Sequence, residues 1–84
     1  MYRVLIERNA ERDLKRLPPE VFHRIILKID NLSEDSRPPG ASKLKGSKTD
    51  WKIRIGPYRV LYEIDDRAQL VKIFRVRHRR EVYR

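Results

Sequence analysis

There is no cysteine among the 84 residues, so neither a disulfide framework nor a cysteine-based zinc site is available. That suits a reducing compartment. Also missing is any run approaching the roughly 20 apolar residues that span a bilayer, and the N-terminus lacks the uninterrupted apolar stretch of a signal peptide. A soluble, cytoplasmic protein with no membrane partner is expected. With neither internal repeats nor low-complexity segments, residues 1–84 read as a single domain, which buries roughly 60% of its unfolded surface.

What the chain has in excess is positive charge, a formal +9, and that excess is local. Residues 1–42 carry eight Lys/Arg against seven Asp/Glu, whereas residues 43–84 carry thirteen against five. One strongly basic half on a folded domain is the electrostatic footprint of a polyanion binder, most often of nucleic acid. Charge that served only solubility would not need this asymmetry.

The apolar pattern divides the chain at the same place. "YRVLIE" at 2–7 reads as a first strand, with Val4 and Ile6 alternating against Arg3, Leu5 and Glu7. Asn9 is a candidate cap for a helix through about Leu17, with Ala10, Leu14 and Leu17 on one face. Pro18-Pro19 ends it, and Pro19 can begin a second helix, where its missing N–H costs nothing. Val21, Phe22, Ile25, Ile26, Ile29 and Leu32 then form a wide apolar stripe, so two tightly joined helices make a hairpin. After the loop "SEDSRPPGAS" at 33–42 the period changes from 3.6 to 2. Strands are expected over Asp50 to Ile55, Tyr58 to Ile64 and Leu70 to Val76, the last two joined by "DDRAQ" and the whole closed by "RHRREVYR". The fold class is therefore α+β with the order β-αα-β-β-β: a small, mostly antiparallel sheet carrying the helix pair on one face.

Within this frame the stretch "WKIRIGPYR" at 51–59 is unusual. If its arms close through Gly56-Pro57, pairing Ile55 with Tyr58 also pairs Arg54 with Arg59, and like charges directly opposed weaken a strand pair. Trp51, Ile53 and Ile55 face the helices, so Lys52, Arg54 and Arg59 point to the opposite, open face. Some of Arg75, Arg77, His78, Arg79 and Tyr83 converge there if the last strand packs alongside. Arginine forks bind phosphate oxygens in pairs, and lysine adds a compact charge. Such a group suits a phosphodiester. Taken singly, Lys52 and Arg54 are an ordinary solvated strand face, Trp51 is core, His23 is structural, His78 is as readily a surface residue as a proton carrier, and Tyr83 covers an apolar edge. The conjunction carries the argument.

At these residues the chain resembles the RelE/ParE superfamily of bacterial toxin–antitoxin toxins. The likeness lies in its length, its element order, and in "LKG" at 44–46, "WKIRIGPYRVLYEI" at 51–64 and "HRREVYR" at 78–84. The resemblance is to the RelE-like branch. It implies a ribosome-dependent endoribonuclease (an mRNA interferase) that enters the A site of the small ribosomal subunit, cuts mRNA without a metal or cofactor, and is held inactive by a cognate antitoxin protein. The catalytic residues it implies are Lys52, Arg54, Arg59, His78, Arg79 and Tyr83. The remaining cations, Lys43, Lys45, Lys48, Arg75, Arg77 and Arg80, would carry RNA and rRNA. Arg54 departs from the best-known relatives, which have lysine there; Arg can replace it as a charge but not as a group that must lose a proton.

The chemistry implied is attack by the substrate's own 2′-OH on the adjacent phosphorus. Arg54, Arg59 and Arg79 would hold the phosphate, Lys52 or Tyr83 would act as base, and His78 or an arginine as acid. Carboxylates are scarce on the open face, which disfavours a two-metal mechanism. Two alternatives use the same chain differently. One is a ParE-like toxin that poisons gyrase without ribonuclease activity, a branch that generally lacks this basic set with the terminal His-Arg and Tyr. The other is a nucleic-acid-binding module, which would be expected to show surface aromatics as a stacking platform.

Overall fold

Two helices, a five-stranded sheet and a short third helix make up the computed structural model, which describes residues 1–82. The chain runs β1 (Arg3–Ile6), α1 (Arg8–Lys15), α2 (Pro19–Asn31), β2 (Ala41–Lys43), β3 (Asp50–Ile55), β4 (Tyr58–Asp65), β5 (Leu70–His78) and a last turn of helix, α3 (Arg79–Val82). The sheet order is β1-β5-β4-β3-β2; β1 lies parallel to β5 and every other pair is antiparallel. The α+β class and the order of the main elements are those expected from the sequence.

The helix boundaries follow local chemistry. The α1 helix starts at Arg8, with Glu7 rather than Asn9 in the capping position. Glu7 still donates its N–H to the Ile73 carbonyl, so the strand ladder runs directly into the helix with no loop to spare. The helix stops at Lys15, sooner than Leu17, because a residue preceding proline is pushed out of the helical region. Pro19 opens α2 as expected. The three-residue β2 was hidden in a segment whose Pro, Gly and Ser read as loop.

The core lies between the helix pair and one face of the sheet. Ala10, Leu14, Ile25, Ile29 and Leu32 from the helices meet Ile53, Ile55, Val60, Tyr62, Ile64, Val71, Ile73 and Val76. Trp51 is only half-buried against this cluster, with the Arg37 guanidinium 5.2 Å from its ring centre. The largest fully buried side chain is Tyr62. Its hydroxyl donates to the Ser36 carbonyl at 2.9 Å and so ties the long loop after α2 to the sheet, while burial pushes its pKa up to about 12. Arg37 in the same loop holds Asp66 with a two-pronged hydrogen bond (3.2 and 2.9 Å), and Tyr2 donates to the same carboxylate. These contacts fix the loop that leads into β2, and so the outer edge of the sheet.

Two features of β5 set the geometry of the open face. Tyr62 pairs with Ile73 but Leu61 pairs with Arg75, so Phe74 is the extra residue of a bulge. Beyond Ile73 no strand among the described residues lies beside the outer edge of β5. There Asp13 of α1 accepts the Val76 N–H (2.8 Å) and grips the Arg75 guanidinium (2.9 and 3.2 Å). A carboxylate thus substitutes for a neighbouring strand.

Candidate functional site

Gly56 and Pro57 close β3 onto β4 in a two-residue hairpin, and Gly56 has φ of +58°. A glycine with positive φ at the first central position is what a type II′ turn requires, and that turn matches the twist of the flanking strands. The turn fixes the register, so Ile55 pairs with Tyr58 and Arg54 pairs with Arg59. On the other side Arg59 pairs with Arg77 of β5. Three arginines therefore stand in one row across three strands, on the face opposite the core.

The row is unevenly exposed. Arg59 in the centre is buried, with 7% of its surface accessible, whereas Arg54 is exposed and Arg77 is half-buried. Arg77 is engaged by Glu81 at 2.9 Å. Arg79 comes in from α3, and its N–H donates to the Pro57 carbonyl at 2.7 Å. Arg54, Gly56, Pro57, Tyr58, Arg59 and Arg79 together line a cavity of about 160 Å³. Lys52 shares the Arg54 face one pleat along and pairs across to Leu61.

The open face is polarised. At its far end Asp50 pairs with Glu63, which pairs with Lys72 and forms an ion pair with it at 3.6 Å. The few carboxylates of this face thus gather away from the arginine row, apart from Glu81. Among the described residues, no three His, Asp or Glu side chains stand together as a metal-binding set.

The structure separates the other residues singled out in the sequence. His78 pairs with Tyr58, and so lies on the helix side of the sheet rather than with the cation row. Its ring meets Tyr58 edge to face at 5.1 Å, beside a second cavity lined by Asp13, Arg16, Arg75 and Glu81 among others. Arg75 is turned to Asp13 and is not in the row. Lys43 pairs with Trp51, which puts it on the helix side of β2, while its neighbour Ser42 stands next to Lys52. Lys45 and Lys48 are exposed in the β2–β3 turn, and Arg80 is exposed on α3. Tyr83 lies outside the described residues.

One cation near the cavity had no signal in the sequence. Arg24 of α2 brings Nη1 to within 3.8 Å of the point where a Cβ on Gly56 would stand. It sits off the apolar stripe of α2, where a charged residue needs no function to explain it; only the docking of α2 under the hairpin brings it there.

Comparison with known proteins agrees with this geometry. Residues 4–83 match the family model described as ParE toxin of type II toxin–antitoxin system, parDE. Toxin RelG of Mycobacterium tuberculosis is 34% identical over 84 residues, spanning 99% of this chain and 97% of that protein. The toxin–antitoxin complex RelBE2 of M. tuberculosis contains a chain that superposes with a TM-score of 0.80 at 32% identity, covering 92% of this chain and 96% of that one. A chain of the archaeal RelE–RelB complex from Pyrococcus horikoshii superposes with a TM-score of 0.83 at 28% identity, covering 93% and 94%. On the family match over residues 4–83, the sequence identity to Toxin RelG and the shared fold, the chain belongs to the ParE/RelE superfamily as a RelE-like toxin of a type II toxin–antitoxin system.

Proposed function

We propose that this toxin is an endoribonuclease that cleaves mRNA in the ribosomal A site, using the substrate's 2′-OH as nucleophile. The observation that carries the reading is the Arg54–Arg59–Arg77 row, in which Arg54 and Arg59 line one cavity together with Arg79. Opposed cations cost stability in the free protein and become favourable when a phosphate lies between them. The attacking O2′ forms a bond to phosphorus as the bond to O5′ breaks, leaving a 2′,3′-cyclic phosphate and a 5′-hydroxyl. Arg54, Arg59 and Arg79 stabilise the charge that develops on the phosphorane oxygens. Lys52, on the same strand face as Arg54, or Tyr83 takes the hydroxyl proton, and water oriented by the guanidinium groups returns one to O5′.

A site rich in charge and poor in proton carriers gains most from a substrate already held for in-line attack. Orientation of that kind is worth several kcal/mol, and the ribosome supplies it. The same basic face calls for a cover in the resting cell. An acidic or amphipathic antitoxin segment folding over it would neutralise it, a reading supported by relatives solved as toxin–antitoxin complexes.

The test is in vitro translation with primer extension, run with and without ribosomes, on the wild type and Arg79→Ala, beside a gyrase supercoiling assay. Cuts in translating mRNA that vanish with Arg79→Ala are expected. Intact mRNA with arrested supercoiling would overturn the reading in favour of a ParE-like gyrase poison.

A further inference from the structure

The geometry points to His78 as a positioning residue that fixes Arg79 through a helix cap, rather than as a group that exchanges protons with the substrate. The inference rests on the ribonuclease reading for its kinetic consequence, and on hydrogen bonds alone for the cap itself. His78 is the last residue of β5 and immediately precedes α3. Its Nδ1 accepts the backbone N–H of Arg80 at 3.2 Å, and the carboxylate of Glu81 accepts the backbone N–H of His78 at 3.3 Å. These are the two reciprocal bonds of a capping box: the cap side chain holds an amide of the first turn, and the acidic side chain at the third helical position holds the cap's own amide. Histidine here takes the place usually filled by Ser, Thr, Asp or Asn.

Arg79 is the residue between the two halves of this box. Its own N–H donates to the Pro57 carbonyl, so it is clamped between the cap of α3 and the hairpin turn. The imidazole ring is also packed against the sheet. The ring meets Tyr58 edge to face on the helix side of the sheet, and the cavity it lines contains Asp13, Arg16, Tyr58, Arg75, Arg77 and Glu81, not Arg54, Arg59 or Arg79. A ring so placed bears on the reaction through the residue it positions. Glu81 serves the same end from the other side, because its carboxylate holds the His78 amide and the Arg77 guanidinium together.

A proton carrier and a cap respond oppositely to asparagine, whose Oδ1 stands where Nδ1 of histidine stands but does not titrate. The experiment measures turnover of ribosome-bound mRNA for the full chain as wild type, His78→Ala and His78→Asn. His78→Ala is expected to lower turnover at least about fivefold, the population effect of losing one helix cap. His78→Asn is expected to restore turnover to within about twofold of wild type, since Asn is among the best capping residues. A His78→Asn variant as slow as His78→Ala overturns the proposal. Nitrogen NMR of the imidazole and hydrogen exchange of the Arg80 amide form a second arm independent of activity. An unprotonated Nδ1, with Arg80 protected in wild type and His78→Asn but not in His78→Ala, is expected. Equal Arg80 protection in all three overturns the cap, whereas a wild type that leaves ribosomal mRNA intact overturns only the ribonuclease reading.

Discussion

Arg54 and Arg59 stand directly opposite each other on β3 and β4, Arg54 exposed and Arg59 buried. Replacing Arg54 with Gln removes the opposition while leaving the core untouched. The variant is expected to be more stable than wild type by a few tenths of a kcal/mol in urea titration, and to lose cleavage about a hundredfold or more. Sulfate should raise the melting temperature of wild type more than that of Arg54→Gln, because an anion bound only by the folded state stabilises it. Arg54→Lys separates charge from proton transfer: unchanged cleavage is expected of a purely electrostatic position, and a marked gain would show that the position uses a group able to lose a proton.

Asp13 is the carboxylate that closes the exposed part of the β5 edge, with 12% of its side chain accessible. Asp13→Ala leaves the Val76 N–H and the Arg75 guanidinium without their acceptor. A loss of about 2–4 kcal/mol in urea unfolding is expected, with no compensation from solvent at the buried amide. A loss below about 0.5 kcal/mol, the scale of a surface change, would show that the edge does not depend on this residue.

Tyr62 ties the loop after α2 to the sheet, and Tyr62→Phe should cost about 1–2 kcal/mol at neutral pH. Burial raises its pKa from 10.0 in the ordinary case to about 12, so the folded state holds its proton more tightly than the unfolded state does. The resulting stability is complete below about 10 and is lost as pH rises through about 12. Wild type should therefore lose stability over that window faster than Tyr62→Phe, and parallel pH curves would contradict the assignment.

Asp66 is held below the usual carboxylate range first by the Arg37 hydrogen bond and then by that of Tyr2. A depressed carboxylate stabilises the fold above its unfolded pKa of 3.8 and ceases to do so as pH falls through the folded value. The stability difference between wild type and Asp66→Asn should thus shrink on acidification below about 3.8, as read by thermal melts along a pH series. A difference independent of pH would mean that the loop is held by Tyr62 alone.

Much of this was legible because it is local. Apolar spacing in 21–32 and 51–55 names the faces that pack, and Pro18-Pro19 separates the helices whatever surrounds them. A two-residue hairpin leaves no freedom of register once Gly56-Pro57 is its turn, so the Arg54–Arg59 opposition follows from sequence alone. The strand β2 was not legible, because its three residues carry no alternating apolar pattern and two of them fall in the Pro-, Gly- and Ser-rich segment. Nor was Arg24, whose approach to Gly56 depends on how α2 docks.

The sequence by itself determined that a basic hairpin faces away from the core, since side-chain alternation and turn geometry are properties of a few adjacent residues. Which cations join that hairpin was decided only in the tertiary structure, by one extra residue in β5. An uninterrupted ladder from Asp65–Leu70 would have set Val76 opposite Arg59 and Arg77 opposite Tyr58. The bulge at Phe74 shifts the register by one, so Arg77 joins the arginine row and His78 turns to the helix side against Tyr58. A one-residue slip inverts every side chain beyond it. That inversion places an arginine in the row and leaves histidine to cap the turn that carries Arg79.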